Sequence, residues 1–123
     1  MKNLFMALLV VILVGPFQPL SAETWKKHTV MEQGHCNTAV ALDANGDRHL
    51  DVIASFNGRV SLFIAPDWKQ EVVIHRFASG GGCIHSAVID VDGDGDLDWA
   101  GTLASAHPFW LENPGRKEVA AGA

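Results

Sequence analysis

Two short segments concentrate the chain's carboxylates. One runs Asp43-Ala44-Asn45-Gly46-Asp47-Arg48-His49-Leu50-Asp51, the other Asp90-Val91-Asp92-Gly93-Asp94-Gly95-Asp96-Leu97-Asp98. The second places carboxylates at positions 1, 3, 5 and 9 of a tight turn, with glycine at position 6. A small hard cation demands this pattern. Ca²⁺ takes six to eight oxygens, and alternate residues of such a loop can all point inward. Position 7 usually offers its main-chain carbonyl, so Asp96 is expected to bind through the backbone. Gly95 permits the turn, because a positive φ costs it little. Without a cation the five carboxylates repel one another, so ion binding and loop folding are expected to be linked.

The first segment keeps the ligand types, with neutral Asn45 at position 3. Position 6 is Arg48 rather than glycine, which puts a cation beside the site and strains the turn if φ is positive there. A weaker or partly lost site is expected. An EF-hand is a poor reading for either loop. It needs an acidic ligand at position 12 and a following helix, whereas position 12 is Ala54 or Gly101. Val52-Ile53-Ala54 and Trp99-Ala100-Gly101 look like strands, so each loop is expected to join two strands.

Other residues carry competing readings. Cys36 and Cys83 are a candidate disulfide, against two small buried residues. His35, Cys36, Cys83 and His85 hold zinc-ligand types but lack the usual spacing. Trp25, Trp68, Trp99 and Trp110 could stack on sugars; packing between sheets is the stronger reading. There is no nucleophile motif, phosphate-cradling glycine loop or metalloprotease signature. The paired carboxylates suit cation ligation better than glycosidase acid and base roles.

The elements that position these residues follow from a repeat of 47 residues. Asp43, Gly46, Asp47, Leu50 and Asp51 recur as Asp90, Gly93, Asp94, Leu97 and Asp98, and His28, Gly34 and Cys36 as His75, Gly81 and Cys83. Short β-like runs occur at Val40–Leu42, Leu50–Phe56, Val60–Ala65 and Val72–Phe77 in the first unit. Glu71–Phe77, Ser86–Val91, Leu97–Leu103 and Phe109–Glu112 form the second set. Gly, Pro, Asn and Asp punctuate them. No segment beyond the N-terminal run sustains a 3.6-residue period. The expected fold is all-β: two tandem four-stranded antiparallel blades of an incomplete β-propeller, over about 24–70 and 71–117. Trp25–Val30 and Glu118-Val119 match parts of the outer strand at 71–77, and are expected to be strands of neighbouring blades. Two units leave large sheet faces uncovered. The expectation is a fragment of a longer reading frame, with self-association into a ring as an alternative.

Composition bounds the rest. The 123 residues carry a formal charge of −5 and are 48% hydrophobic, which excludes a disordered chain and argues against a nucleic-acid partner. Lys2, the apolar run Leu4–Val14 and the small residue at Ala22 read as a secretory signal peptide at 1–22. That run is too short to span a bilayer comfortably. The expected location is secreted or periplasmic, with no membrane span in the mature chain, repeats over 23–119 and a tail at 120–123.

An apolar strand, then D-x-[DN]-G-D-x-x-x-D, a second strand and an aromatic strand ending Trp110-Leu111-Glu112-Asn113-Pro114 together resemble the FG-GAP/VCBS repeat. The resemblance covers about residues 24–119 and implies a calcium-binding β-propeller of the integrin-α kind. It implies Asp90, Asp92, Asp94, Asp96 and Asp98 as one ligand set and Asp43, Asn45, Asp47, His49 and Asp51 as the other, with His49 and Asp96 binding through their carbonyls. The resulting expectation is a non-catalytic scaffold whose partner is a protein or glycan. The alternative is a piece of a carbohydrate-active propeller enzyme, a sugar lyase or dehydratase, with His35 and His85 as candidates.

Overall fold

The computed structural model describes residues 25–103 and 107–122. The signal peptide expected at 1–22 lies outside the described residues. Four strands form the first sheet in the order β1-β2-β3-β4: β1 (Cys36–Leu42), β2 (Asp51–Phe56), β3 (Arg59–Ile64) and β4 (Gln70–Arg76). Three form the second in the order β5-β6-β7: β5 (Cys83–Ile89), β6 (Asp98–Leu103) and β7 (Pro108–Leu111). A short helix, α1 (Arg116–Ala120), follows. All strand pairs are antiparallel. β-Branched and aromatic residues fill these runs, as a pleated, half-buried surface favours. Asn57-Gly58, both at positive φ, close the β2–β3 hairpin in two residues, the tight turn that best fits strand twist.

The repeat is visible in the pairing. β1 and β5 each carry an irregularity near the start, between Cys36 and Thr38 and between Cys83 and His85. Ile53 lies opposite Val40, and Ala100 opposite Ala87, at the same register. β7 is displaced by one residue: Val52 faces Phe63 in the first sheet, while Trp99 faces Leu111 in the second.

One core joins the two sheets. Leu42, Ile53, Val60 and Leu62 of the first pack with Cys83 and Trp99 of the second and Val119 of α1. Burial of such side chains stabilises by roughly 1.5–3 kcal/mol each. Trp99 is 2% exposed and folds across Gly101, where any Cβ would collide with the indole and with the Cys83 sulfur. The repeat-equivalent residues of the first sheet, Val52 and Ala54, lie on its other face. Its far face carries Ala54, Phe56 and Phe63, covered by Val30, Met31 and Trp68. The two sheets therefore stack with opposite repeat faces in contact. Ile53 and Leu62 point from the first sheet into the shared core, while Trp99, the repeat-mate of Val52, points in from the second.

β4 completes the first sheet, where the run Val72–Phe77 of the first unit puts it. Other expectations are corrected. The second sheet has three described strands rather than four. Glu118-Val119 is helical, because Arg116, Lys117, Glu118 and Ala120 are strong helix formers, unlike the Val-Val-Ile run of β4. Trp25–Val30 is not a strand. The cysteines are unbridged: Cys83 is buried in the shared core and Cys36 is exposed at the start of β1. The tryptophans divide, with Trp99 in the core but Trp25 98% and Trp110 39% exposed.

Candidate metal centre

Each acidic loop connects two antiparallel strands, β1 to β2 and β5 to β6. The backbone turns around the first aspartate. Asp43 accepts from the Gly46 N–H at 2.8 Å and the Arg48 N–H at 2.9 Å. Asp90 accepts from Gly93 at 2.7 Å and Gly95 at 3.1 Å. Position 3 takes the N–H two residues on, from Asp47 to Asn45 at 3.0 Å and from Asp94 to Asp92 at 3.2 Å. Position 5 repeats the step, from His49 to Asp47 at 2.8 Å and from Asp96 to Asp94 at 2.9 Å. These side-chain turns are what Asp and Asn form most readily.

The ninth residue ties each loop to its sheet. Asp51 is fully buried and accepts from the Ala44 and Ala65 N–H groups at 3.0 and 2.8 Å. Asp98, 1% exposed, accepts from Val91 and Asn113 at 2.9 and 2.8 Å. Burial pushes the Asp51 carboxyl above the ordinary aspartate value, against the pull of its two N–H donors, and the charges of Asp47 and Asp43 add to the rise. The His49 N–H, with smaller help from the Asn45 and His49 side chains, holds Asp47 below that value.

The loops differ in what their side chains offer a cation. One oxygen from each of Asp90, Asp92 and Asp98 lies within 4.8 Å of the others. Among the described residues this is the one place where three acidic, histidine or cysteine ligand atoms converge. In the first loop Asn45 replaces the middle carboxylate and donates to Asp47 at 3.1 Å, while His49 Nδ1 lies 3.3 Å from Asp47. Arg48 sits at φ 71°, in the left-handed region expected of position 6, and Gly95 at φ 96°. The Asp96 carboxylate accepts from Arg116 Nε at 3.1 Å. An all-oxygen donor set suits a hard divalent cation and not zinc. His35, Cys36, Cys83 and His85 form no such group among the described residues.

Residues 43–100 match the model of the FG-GAP-like repeat. The chain carries an FG-GAP-like repeat. The matched stretch of this repeat includes both acidic loops and all of the first sheet from β2 to β4. No curated protein and no solved structure matches the chain.

Two residues of the site carry roles that motif spacing did not assign. Asn113 caps Asp98 through its N–H, and its amide donates to the Leu97 carbonyl at 3.2 Å. In the first repeat the Trp68 indole makes the equivalent bond to the Leu50 carbonyl at 3.1 Å. The Asn113-Pro114 dipeptide is a turn signal and marked the place. Arg116 spans the two loops: it pairs with Asp96, and its side chain lies against Gly46. No spacing rule announces a cation supplied from a helix after β7.

Proposed function

We propose that the chain is a calcium-binding module of an extracytoplasmic β-propeller scaffold, and that its exposed faces serve protein or glycan binding rather than catalysis. The convergence of Asp90, Asp92 and Asp98 in a loop of an FG-GAP-like repeat carries this reading. Asp90, Asp92, Asp94 and Asp98 would hold the ion through carboxylates and Asp96 through its carbonyl. Pairing of the Asp96 carboxylate with Arg116 fits that division of roles. The ion would neutralise the crowded loop and stiffen the β5–β6 connection. In the first loop Asp43, Asn45, Asp47, His49 and Asp51 would form the weaker counterpart. Stacking of opposite repeat faces supports the propeller, since each blade then offers the next the face it needs. Lys2 and the run Leu4–Val14 support export.

Calorimetric titration with Ca²⁺ tests the reading. One dominant site is expected, with a melting temperature that falls on EDTA treatment. No heat of binding and a melt indifferent to EDTA would refute it.

A further inference from the structure

The two acidic loops obtain positive charge from different places. The first contains Arg48 at position 6, whereas no basic residue stands between Asp90 and Asp98. Among the described residues, one ion pair reaches the five carboxylates of the second loop: Arg116 Nε to the Asp96 carboxylate at 3.1 Å. Arg116 opens α1, so this charge arrives from outside the loop. Asp96 is the carboxylate free to take it, because position 7 serves a cation through its main-chain carbonyl.

The segment that carries Arg116 is fastened on both sides of it. Asn113 gives its N–H to Asp98 and its amide to the Leu97 carbonyl. Val119 is 4% exposed, in the core with Leu42 and Ala44. Between these anchors the Arg116 stem crosses Gly46 of the first loop, so closely that a Cβ there would collide with its Cδ. The guanidinium is thus held beside the second loop by contacts that involve neither Asp90, Asp92 nor Asp94.

We propose that Arg116 is a resident counter-ion of the second loop, one that stabilises the loop without metal and lowers its affinity for calcium. The proposal rests on calcium occupying that loop. Its two effects have one cause and opposite signs. In the metal-free loop the guanidinium offsets part of the repulsion among the carboxylates. When calcium arrives, the same positive charge opposes it. A unit charge roughly 8–10 Å from a divalent ion, in a water-like dielectric at low salt, changes its binding by about two- to fivefold. A residue that only braced the loop would act otherwise, since its removal would weaken fold and affinity together.

Calorimetric calcium titrations of the chain, of Arg116→Gln and of Arg116→Lys test this, beside thermal melts in EDTA. The Arg116 side chain is 62% exposed, and glutamine and lysine are both good helix formers, so the variants keep the core intact. In about 0.01 M salt, where the Debye length is about 30 Å, Arg116→Gln is expected to tighten the dominant site by about two- to fivefold. In EDTA at the same salt its melting temperature should fall by roughly 1–5 °C, as suits an exposed pair. In about 1 M salt, where the Debye length is about 3 Å, the affinity difference should vanish. Arg116→Lys, which keeps the charge, should match the parent in affinity. A glutamine variant that binds calcium more weakly makes Arg116 a brace and overturns the proposal. An unchanged affinity, an unchanged melt in EDTA, a gain that survives high salt, or a lysine variant that behaves like glutamine overturns it too. A parent chain that takes up no calcium refutes the reading beneath the proposal and the proposal with it, whereas the other failures leave that reading standing.

Discussion

The loop at 43–51 and the loop at 90–98 bend around the same acceptors, step for step, yet gather different side chains at their centres. Asp43 and Asp90 collect the same pair of N–H groups, and Asp51 and Asp98 each close two more. The second loop brings three carboxylates together, and the first substitutes an amide and a guanidinium-bearing residue. The turn is therefore built by aspartate-to-backbone bonding, which needs only an oxygen at positions 1, 3, 5 and 9. The capacity for a cation is a separate property, set by charge at position 3 and by what stands at position 6. A repeat can keep the first property while the second drifts.

The largest effect should come from breaking the shared frame. Asp51→Ala orphans the Ala44 and Ala65 N–H groups in a fully buried setting, at about 1–3 kcal/mol for each donor. Asp98→Ala orphans Val91 and Asn113, whose bonds are only partly buried, so in EDTA its cost should be smaller. Urea denaturation of both variants measures the gap. Equal costs in EDTA would mean that the two loops anchor their sheets alike and that the burial difference is unimportant.

Calcium affinity should separate the loops next. Asp92→Asn gives the second loop the position-3 chemistry of the first, and is expected to weaken the dominant calorimetric site by about tenfold, because affinity follows ligand charge. Asn45→Ala should leave that site unchanged. If Asn45→Ala lowers the dominant affinity instead, the ranking of the two loops is reversed.

A smaller effect belongs to position 6. Arg48 holds φ 71° with a Cβ, where Gly95 holds φ 96° without one. Arg48→Gly should relieve up to about 1 kcal/mol, part of the left-handed cost being offset by the added freedom of the unfolded chain. Gly95→Arg should cost about 1–2 kcal/mol, since space around Gly95 is open and only the backbone resists. Thermal melts in EDTA read both changes without the metal contribution.

Much of this was legible in the residues. Period-2 runs between Gly, Asn and Asp clusters marked the strands, and the 47-residue register marked the loops with their position-6 contrast. Register failed where it was asked to predict more than backbone path. Glu118-Val119 matches Glu71-Val72 by type, but two residues do not outweigh a helix-forming neighbourhood. Cys36 and Cys83 are repeat-mates, yet one sulfur is exposed and the other lies in the core between the sheets. The neighbouring contact that does form joins Thr38 and Ser86 through their hydroxyls at 2.8 Å. Arg116 was out of reach because its role depends on how a segment after β7 folds back over both loops.

The smallest predicted effect concerns β4, which has no counterpart in the second sheet among the described residues. Arg59 on β3 donates to Glu71 on β4 at 2.8 Å, and Ser61 donates to the same oxygen at 2.7 Å. The Arg59 hydrogen bond, with a smaller contribution from Ser61, holds the Glu71 carboxyl below its ordinary value of 4.5. A depressed carboxyl stabilises the fold above pH 4.5 and loses that contribution as acid protonates the folded form. Asp51 has the opposite sign: its raised carboxyl favours the folded state most below pH 3.8 and less as pH rises. Glu71→Gln should therefore cost about 0.2–1 kcal/mol at neutral pH, as suits a partly exposed ion pair, and nothing once acid has titrated the native glutamate. Denaturation curves for this variant and its parent should converge as pH falls below 4.5. Curves that stay parallel would locate the role of Glu71 in packing rather than charge, and the link between β3 and β4 would then rest on backbone pairing alone.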